Sequence, residues 1–340
     1  MKNHVIVIAE AGVNHNADPA LAREMILAAK EAGADYVKFQ TAVPELVISS
    51  VAPKAEYQKA QTGDGESQLE MCRKLHFPVE FYTELKELCL KTGIGFLSTP
   101  FDMVSLRFLI SLGMDYMKIP SGEITNLPFL REIASAGIPV ILSTGMSTLD
   151  EVAKAVDVLE NFPDKGKGLK REDITVLQCN TQYPTPYSDV NLRAMAPMGK
   201  ALGVKFGYSD HTPGIEVPIA AVALGASVIE KHFTMSRNLP GPDHKASLEP
   251  QELQEMISAI RHIEEALGSD SKTVSPSEKA NITVARKSIV AARDIKKGDI
   301  FTYENLAIKR PGNGISPWEI DCVVGKAAKK DFPYDSLIEL

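Results

Sequence analysis

The sequence has little cysteine, no excess of positive charge and no long apolar run, and each absence removes a class of function. Four cysteines stand in 340 residues, at 72, 89, 179 and 322, and none forms a CxxC pair. A disulfide framework or a thiolate zinc site is therefore not expected, and a reduced, cytoplasmic protein is the simplest reading. Lysine and arginine number 37 against 44 aspartates and glutamates, a net charge of −7. Nucleic acid is thus not an expected partner, although locally concentrated positive charge can still hold a small anion. No stretch approaches the roughly 20 apolar residues of a membrane span. The apolar run 5–9 before Glu10 is too short for a signal peptide. Neither a membrane nor a secretory route is expected.

What remains is an ordinary globular composition, 44% hydrophobic and 24% charged. A (β/α)8 barrel needs about 250 residues, which leaves room for a smaller second domain. Two stretches anchor the reading. Residues 227–234 open apolar and end in Glu230-Lys231-His232, and residues 205–211 end in Ser209-Asp210-His211. Alternate side chains of a strand share a face. Glu230 and His232 therefore point one way and Lys231 the other, as Ser209 and His211 do opposite Asp210. Burying a carboxylate and an imidazole at a strand end is costly without a task. Adjacent barrel strands would bring the two histidines to one mouth as metal ligands. Otherwise each histidine caps a helix or pairs with a carboxylate.

Six further strands are expected, at 5–9, 36–40, 94–99, 116–120, 140–143 and 174–180, alternating with helices. Asp18, Asp102, Asn126 and the pair Thr148/Glu151 mark helix starts. Leu21, Met25, Ala28, Ala29 and Ala32 would form one apolar stripe, and Leu253, Met256, Ile257, Ile260, Ile263 and Leu267 another. Residues 41–77, with Pro44, Pro53 and Gly63-Asp64-Gly65, read as an extended loop with short helical pieces, of the kind that covers a site. The barrel is assigned to 1–267. The polar stretch 268–284 reads as a linker, and 285–340 as a small β-rich module with a marginal core.

Nearly every strand ends in a polar residue on the side where barrel enzymes keep their sites. Lys38 and Lys118 are either clamps for an anion or, one of them, a Schiff-base lysine. Thr99, Ser121, Ser143 and Ser209 each end a different strand and favour the clamp, since hydroxyls and helix-start N–H groups with two lysines suit a phosphate and a carboxylate. Taken singly, each hydroxyl is also an ordinary helix cap. Glu10, Gln40, Glu123 and Glu230 supply carboxylates and an amide. Two imidazoles with a divalent ion would leave positions open to a substrate oxygen. The chemistry permitted is metal-assisted addition to a carbonyl with an anionic, phosphorylated co-substrate.

A run of motifs then resembles one family. Glu10-Ala11-Gly12-Val13-Asn14-His15-Asn16, Lys38-Phe39-Gln40-Thr41, Ser98-Thr99-Pro100-Phe101, Lys118-Ile119-Pro120-Ser121-Gly122-Glu123, Ser143-Thr144-Gly145-Met146, Tyr183-Pro184-Thr185-Pro186, Ser209-Asp210-His211-Thr212, Glu230-Lys231-His232-Phe233, Pro240-Gly241-Pro242-Asp243-His244 and Lys309-Arg310-Pro311-Gly312-Asn313-Gly314 follow the order of the sialic acid synthases, with an antifreeze-like (SAF) module at the end. The resemblance implies a (β/α)8 TIM barrel followed by a small β-rich antifreeze-like domain. It implies a manganese-dependent transferase condensing phosphoenolpyruvate with N-acetylmannosamine to N-acetylneuraminate and phosphate.

In that reading Lys38, Thr99, Lys118, Ser121, Ser143, Ser209 and Asn180 or Thr181 would bind phosphoenolpyruvate, and His211 and His232 the metal. Gln40, Glu123, Tyr183 and Asp243 would position the sugar, and Glu10 the water that completes the intermediate. Glu230 joins Glu10, Lys38, Lys118 and Glu123 as catalytic, and Lys231 would pack outside. Arg310 would reach a neighbouring subunit's sugar in a homodimer with swapped C-terminal domains. Some members of the family read Lys-His-Gln where this chain has Lys38-Phe39-Gln40, and the segment 180–182 also varies, so legionaminate or pseudaminate synthesis is the alternative. A Schiff-base aldolase and a non-catalytic carbohydrate-binding protein are the alternatives of another class.

Overall fold

The computed structural model describes residues 4–63, 65–164, 166 and 168–340, so Asp64 of the loop motif lies outside the described residues. The chain divides into two compact units, one ending at Gly268 and the other Ser269–Leu340.

Among the described residues of the first unit, eight parallel strands alternate with helices. They are β1 (Ile6–Gly12), β2 (Tyr36–Thr41), β3 (Gly95–Pro100), β4 (Met117–Ile119), β5 (Val140–Ser143), β6 (Ile174–Gln178), β7 (Lys205–Asp210) and β8 (Val228–His232). β1 pairs with both β2 and β8, and ladders run from β8 through β7, β6 and β5 to β4. β3 and β4 lie side by side without a ladder, because β4 is three residues long. The result is a nearly closed parallel barrel. Its strands are buried on both faces, which explains near-continuous runs such as Val7-Ile8-Ala9 and Val140-Ile141-Leu142 in place of clean alternation.

Register aligns the polar strand ends. Glu10 stands opposite Lys38 on one side and His232 on the other; Gln40 pairs with Thr99, and Ser209 with Glu230. Gly207 allows β7 to approach β8 this closely, since a Cβ there would sit 2.2 Å from the Val228 carbonyl oxygen.

The helices start where short polar side chains can cap them. Asp18 accepts from Ala20 N and Leu21 N, Asp102 from Val104 N and Ser105 N, Asn126 from Phe129 N, and Thr148 with Glu151 forms a capping box. The first stripe is rotated from the expected one. Ala22, Met25, Ile26, Ala29 and Ala32 are buried, whereas Leu21 and Ala28 are half-buried at its edge. The stripe of Pro250–Ala266 holds through Ile260, but Leu267 is exposed, because it lies past the last turn as the C-cap. The stretch 41–77 carries three short helices, Pro44–Val47, Glu56–Thr62 and Gln68–Leu75.

The second unit has its own core of Ile289, Ala291, Ile295, Phe301, Leu306, Val323, Ala328, Phe332 and Ile338. β9 (Ser288–Ala291) and β10 (Leu306–Lys309) form an antiparallel pair, extended by single bridges such as Val290 to Leu337. The stretch read as a linker contains a helix, Pro276–Ala285, none of whose side chains is buried. The absence of an apolar stripe is why the sequence pattern did not reveal it. The loop after β10 is held: Gly312 N donates to Thr283 O, and buried Ser288 donates to Pro311 O at 2.6 Å.

Candidate active site

The C-terminal ends of the barrel strands enclose a cavity of about 380 Å³. Its inner end holds two lysines and two carboxylates, all almost fully buried. Lys38 Nζ lies 2.6 Å from Glu10 Oε2 and 3.5 Å from Glu230 Oε2, and donates to Thr99 Oγ1 at 2.8 Å. Lys118 Nζ donates to Ser143 Oγ at 2.8 Å and lies 3.5 Å from Glu230 Oε1. Ser209 Oγ donates to the same Glu230 oxygen at 2.9 Å. Glu230 therefore bridges the lysines.

Burial alone would raise Glu230, but Lys118 and Lys38 outweigh it and hold the carboxyl at about 2. Burial raises Glu10, and Lys38 offsets this only in part. Burial also pulls both ammonium groups down. Glu10 and Glu230 reverse this at Lys38, whereas Lys118 stays below its ordinary value. A pocket with two lysine ammonium groups and the hydroxyls of Thr99, Ser143 and Ser209 beside them offers donors to a multiply charged anion.

At the other side of Glu230 stand the histidines. The rings of His211 and His232 are 5.4 Å apart, and Tyr183 packs 4.1 Å from the first and edge-on 5.4 Å from the second. The Asn180 carbonyl lies 2.6 Å from His211 Nδ1; a carbonyl only accepts, so this nitrogen carries the proton and Nε2 keeps its lone pair. Burial lowers His211 to about 4 and His232 well below its ordinary value, so both are neutral, as metal ligands must be. His232 Nδ1 is buried without a hydrogen-bond partner, a costly state for a polar atom unless something else engages the ring. Among the described residues no cluster of three or more histidine, cysteine or acidic side chains is arranged around a common point. The pair fits a divalent ion that completes its shell with substrate and water.

The other expected residues divide into two groups. Gln40 lines the cavity and donates to Glu10 Oε1 at 3.1 Å. Ser121 lines it and accepts from Gly145 N at 3.0 Å; a Cβ on Gly145 would crowd Ser121 Oγ at 2.9 Å and Thr181 Cγ2 at 2.7 Å. Thr181, Tyr183 and Asp243 also line it, and burial with the nearby Glu10 raises the Asp243 carboxyl to about 7. Glu123 is not in the lining; its carboxylate accepts from Asn126 Nδ2 at 2.5 Å. Asn180 contributes its carbonyl to His211, while its side chain accepts from Gln182 N. Arg310 is exposed in the second unit, with Nε donating to Ala285 O at 3.1 Å.

Lys231 points away from the cavity, as strand alternation requires, and is fully buried on that side, 2.5 Å from Asp210 Oδ2 and donating to Thr212 O. It ties the ends of β7 and β8 together behind the histidines. The outer wall, where Tyr57, Gln58, Met71, Cys72 and His76 line the cavity, holds none of the residues expected from the sequence. Tyr57 stacks on Tyr183 at 5.2 Å. Helices of four to eight residues carry no usable periodicity, so the covering segment was visible in the sequence but its inward side chains were not.

Residues 25–272 match the model of the NeuB family, and residues 286–339 match that of the SAF domain. The chain is 50% identical over 98% of its length, and 98% of the relative's, to the N,N'-diacetyllegionaminic acid synthase of Campylobacter jejuni. It is 47% identical over 94% of its length and 89% of the relative's to the enzyme of the same name from Legionella pneumophila. A crystal structure of N-acetylneuraminic acid synthetase from Leptospira borgpetersenii is similar with a TM-score of 0.70 and 34% identity, covering 83% of this chain and 91% of that one. These likenesses overturn the expectation of an N-acetylneuraminate synthase. Two legionaminate-type synthases stand at 50% and 47%, well above the neuraminate enzyme at 34%.

Proposed function

The chain belongs to the NeuB family of sialic-acid-type synthases, a transferase with a terminal SAF domain, and from that premise we propose that it makes a diacetamido sugar acid of the legionaminate kind. It would condense phosphoenolpyruvate with a 2,4-diacetamido-2,4,6-trideoxyhexose. Carbon 3 of phosphoenolpyruvate bonds to the aldehyde carbon, water adds at carbon 2, and phosphate leaves with the bridging oxygen by C–O cleavage. The observation that carries the reading is one cavity holding a lysine–hydroxyl clamp and, across Glu230, a pair of neutral histidines.

Lys38 with Thr99 and Lys118 with Ser143 would bind the phosphate and carboxylate by charge and hydrogen bonds. Ser121, Thr181 and Ser209 line the same space and would add polar contacts. Glu230 keeps both ammonium groups apart and oriented before the anion arrives. Glu10, raised by burial and held by Gln40 and Lys38, is placed to orient the attacking water and take up its proton. His211 and His232 would hold a divalent cation, manganese by preference, which supplies Lewis-acid polarisation of the acceptor's carbonyl. Tyr183, Gln40 and Asp243 would orient the sugar. A homodimer with exchanged C-terminal units would bring Arg310 to the neighbouring site, and the reaction would run in the cytoplasm.

The test is a phosphate-release assay with phosphoenolpyruvate and an acceptor panel. The diacetamido-trideoxy mannose is expected to give the highest kcat/KM. Highest activity with N-acetylmannosamine, or none with any acceptor, would reject the reading.

A further inference from the structure

The clamp and the histidine pair leave one part of the cavity without a task. Its wall comes from the segment between β2 and β3, where Tyr57 on Glu56–Thr62 and Met71 on Gln68–Leu75 line the space. A ladder of rings connects this wall to the chemistry: Tyr183 lies 4.1 Å from His211, and Tyr57 lies 5.2 Å beyond it, inclined by 23°. An acceptor whose carbonyl met the histidines would have room to extend its remote carbons along Tyr183 toward Tyr57, Gln58 and Met71.

The chemistry of that wall is specific. Met71 is buried and offers a soft apolar contact. Gln58 is oriented, because its Oε1 accepts from Ala55 N at 2.9 Å, which leaves the amide N–H groups as its donors. Lys38 and Lys118 are the cations among the lining residues, and both are engaged by Glu10 or Glu230 at the opposite end. His76 adds no charge, since burial lowers it from its ordinary value.

We propose that Tyr57, Gln58 and Met71 select the acceptor at its remote carbons, taking a deoxy, acetamido-bearing end and refusing a phosphorylated one. The inference rests on the proposed function and deepens it. A methyl group at the terminal carbon suits Met71, and an acetamido carbonyl can accept from Gln58. A phosphate placed there would lose its hydration against an apolar side chain, and the buried Lys54 behind Met71 does not line the cavity and is already engaged by Thr62 Oγ1, Gly63 O and Glu66.

The experiment measures kcat/KM for phosphate release by the full-length enzyme with three acceptors: the 2,4-diacetamido-trideoxy mannose, N-acetylmannosamine and N-acetylmannosamine 6-phosphate. Gln58→Leu is expected to lower the first by about tenfold and the second by less than about twofold. Met71→Lys is expected to raise the ratio of the phosphorylated to the diacetamido acceptor by at least about tenfold. KM for phosphoenolpyruvate should not move in either variant. A wild-type enzyme that prefers N-acetylmannosamine overturns the functional reading, and this inference with it. A wild type that prefers the diacetamido sugar, with variants that change all three acceptors equally or not at all, overturns the wall assignment alone. Should Met71→Lys lose its melting transition, Gln58→Leu decides by the ratio of the diacetamido acceptor to N-acetylmannosamine.

Discussion

The two ends of the cavity are built differently. The inner end stands on strand termini: Lys38, Thr99, Lys118, Ser143, Ser209 and Glu230 are fixed by ladder register and by one another at 2.8–3.5 Å. The outer wall stands on short helices between two strands, and its side chains are held by stacking and single hydrogen bonds. A rigid frame suits chemistry common to every acceptor, and a replaceable wall suits choice among acceptors. Changes at the inner end should therefore abolish turnover, and changes at the outer wall should redirect it.

The largest expected effect is at the inner end. Lys118→Ala removes one ammonium and leaves Glu230 half-compensated; kcat/KM should fall by at least about 10³-fold with every acceptor alike. His211→Ala should fall by about 10²-fold or more, and titration calorimetry with manganese should show the loss of binding directly. A stable adduct of either lysine with pyruvate after borohydride reduction, seen by mass spectrometry, would make the inner end an aldolase site.

An intermediate effect concerns the second unit. Arg310→Ala and Lys118→Ala are each expected to be nearly inactive. Mixed in equal amounts and allowed to exchange subunits, they should recover up to roughly a quarter of wild-type activity in the proposed swapped homodimer, in which half the dimers would be mixed and each would have one complete site. No recovery after exchange proven by mass spectrometry would show that Arg310 does not serve the partner's barrel.

An effect on stability instead of turnover lies between the two ends, at Asp243, whose carboxyl is raised to about 7 by burial and by Glu10. A carboxyl raised on folding stabilises the fold fully below its unfolded value near 4, and this contribution is lost as pH rises toward 7. Asp243→Asn does not titrate. Its stability relative to wild type should therefore increase between pH 4 and 7 by at most about 4 kcal/mol, measured by urea unfolding without substrate. A difference independent of pH would mean that Asp243 is ionised in the fold.

The same contrast decides what could be read from the sequence. Glu230/His232, Ser209/His211 and Lys38/Gln40 were legible because a strand has a period of two and each pair lines the cavity as that period requires. The rule carries one residue past β7, to His211, and fails farther from the strands. β4 ends at Ile119 and β6 at Gln178, so Glu123 falls in a 3₁₀ turn and Asn180 in a loop. The side chain of the first turns to Asn126 and that of the second to Gln182 N. Lys231 obeyed alternation, but alternation gives a direction and not an environment; the facing Asp210 and the Thr212 carbonyl bury it. On the outer wall no period exists, and only three-dimensional placement brings Tyr57 beside Tyr183.

The central claim is that one cavity joins an anion clamp to an acceptor site so that phosphate leaves by C–O cleavage. It is tested most directly with phosphoenolpyruvate carrying ¹⁸O in the bridging position and the diacetamido-trideoxy mannose as acceptor. The prediction is one phosphate released per sugar acid formed, with the label in the phosphate. Label retained in the sugar acid, or product formed without phosphate release, would contradict it.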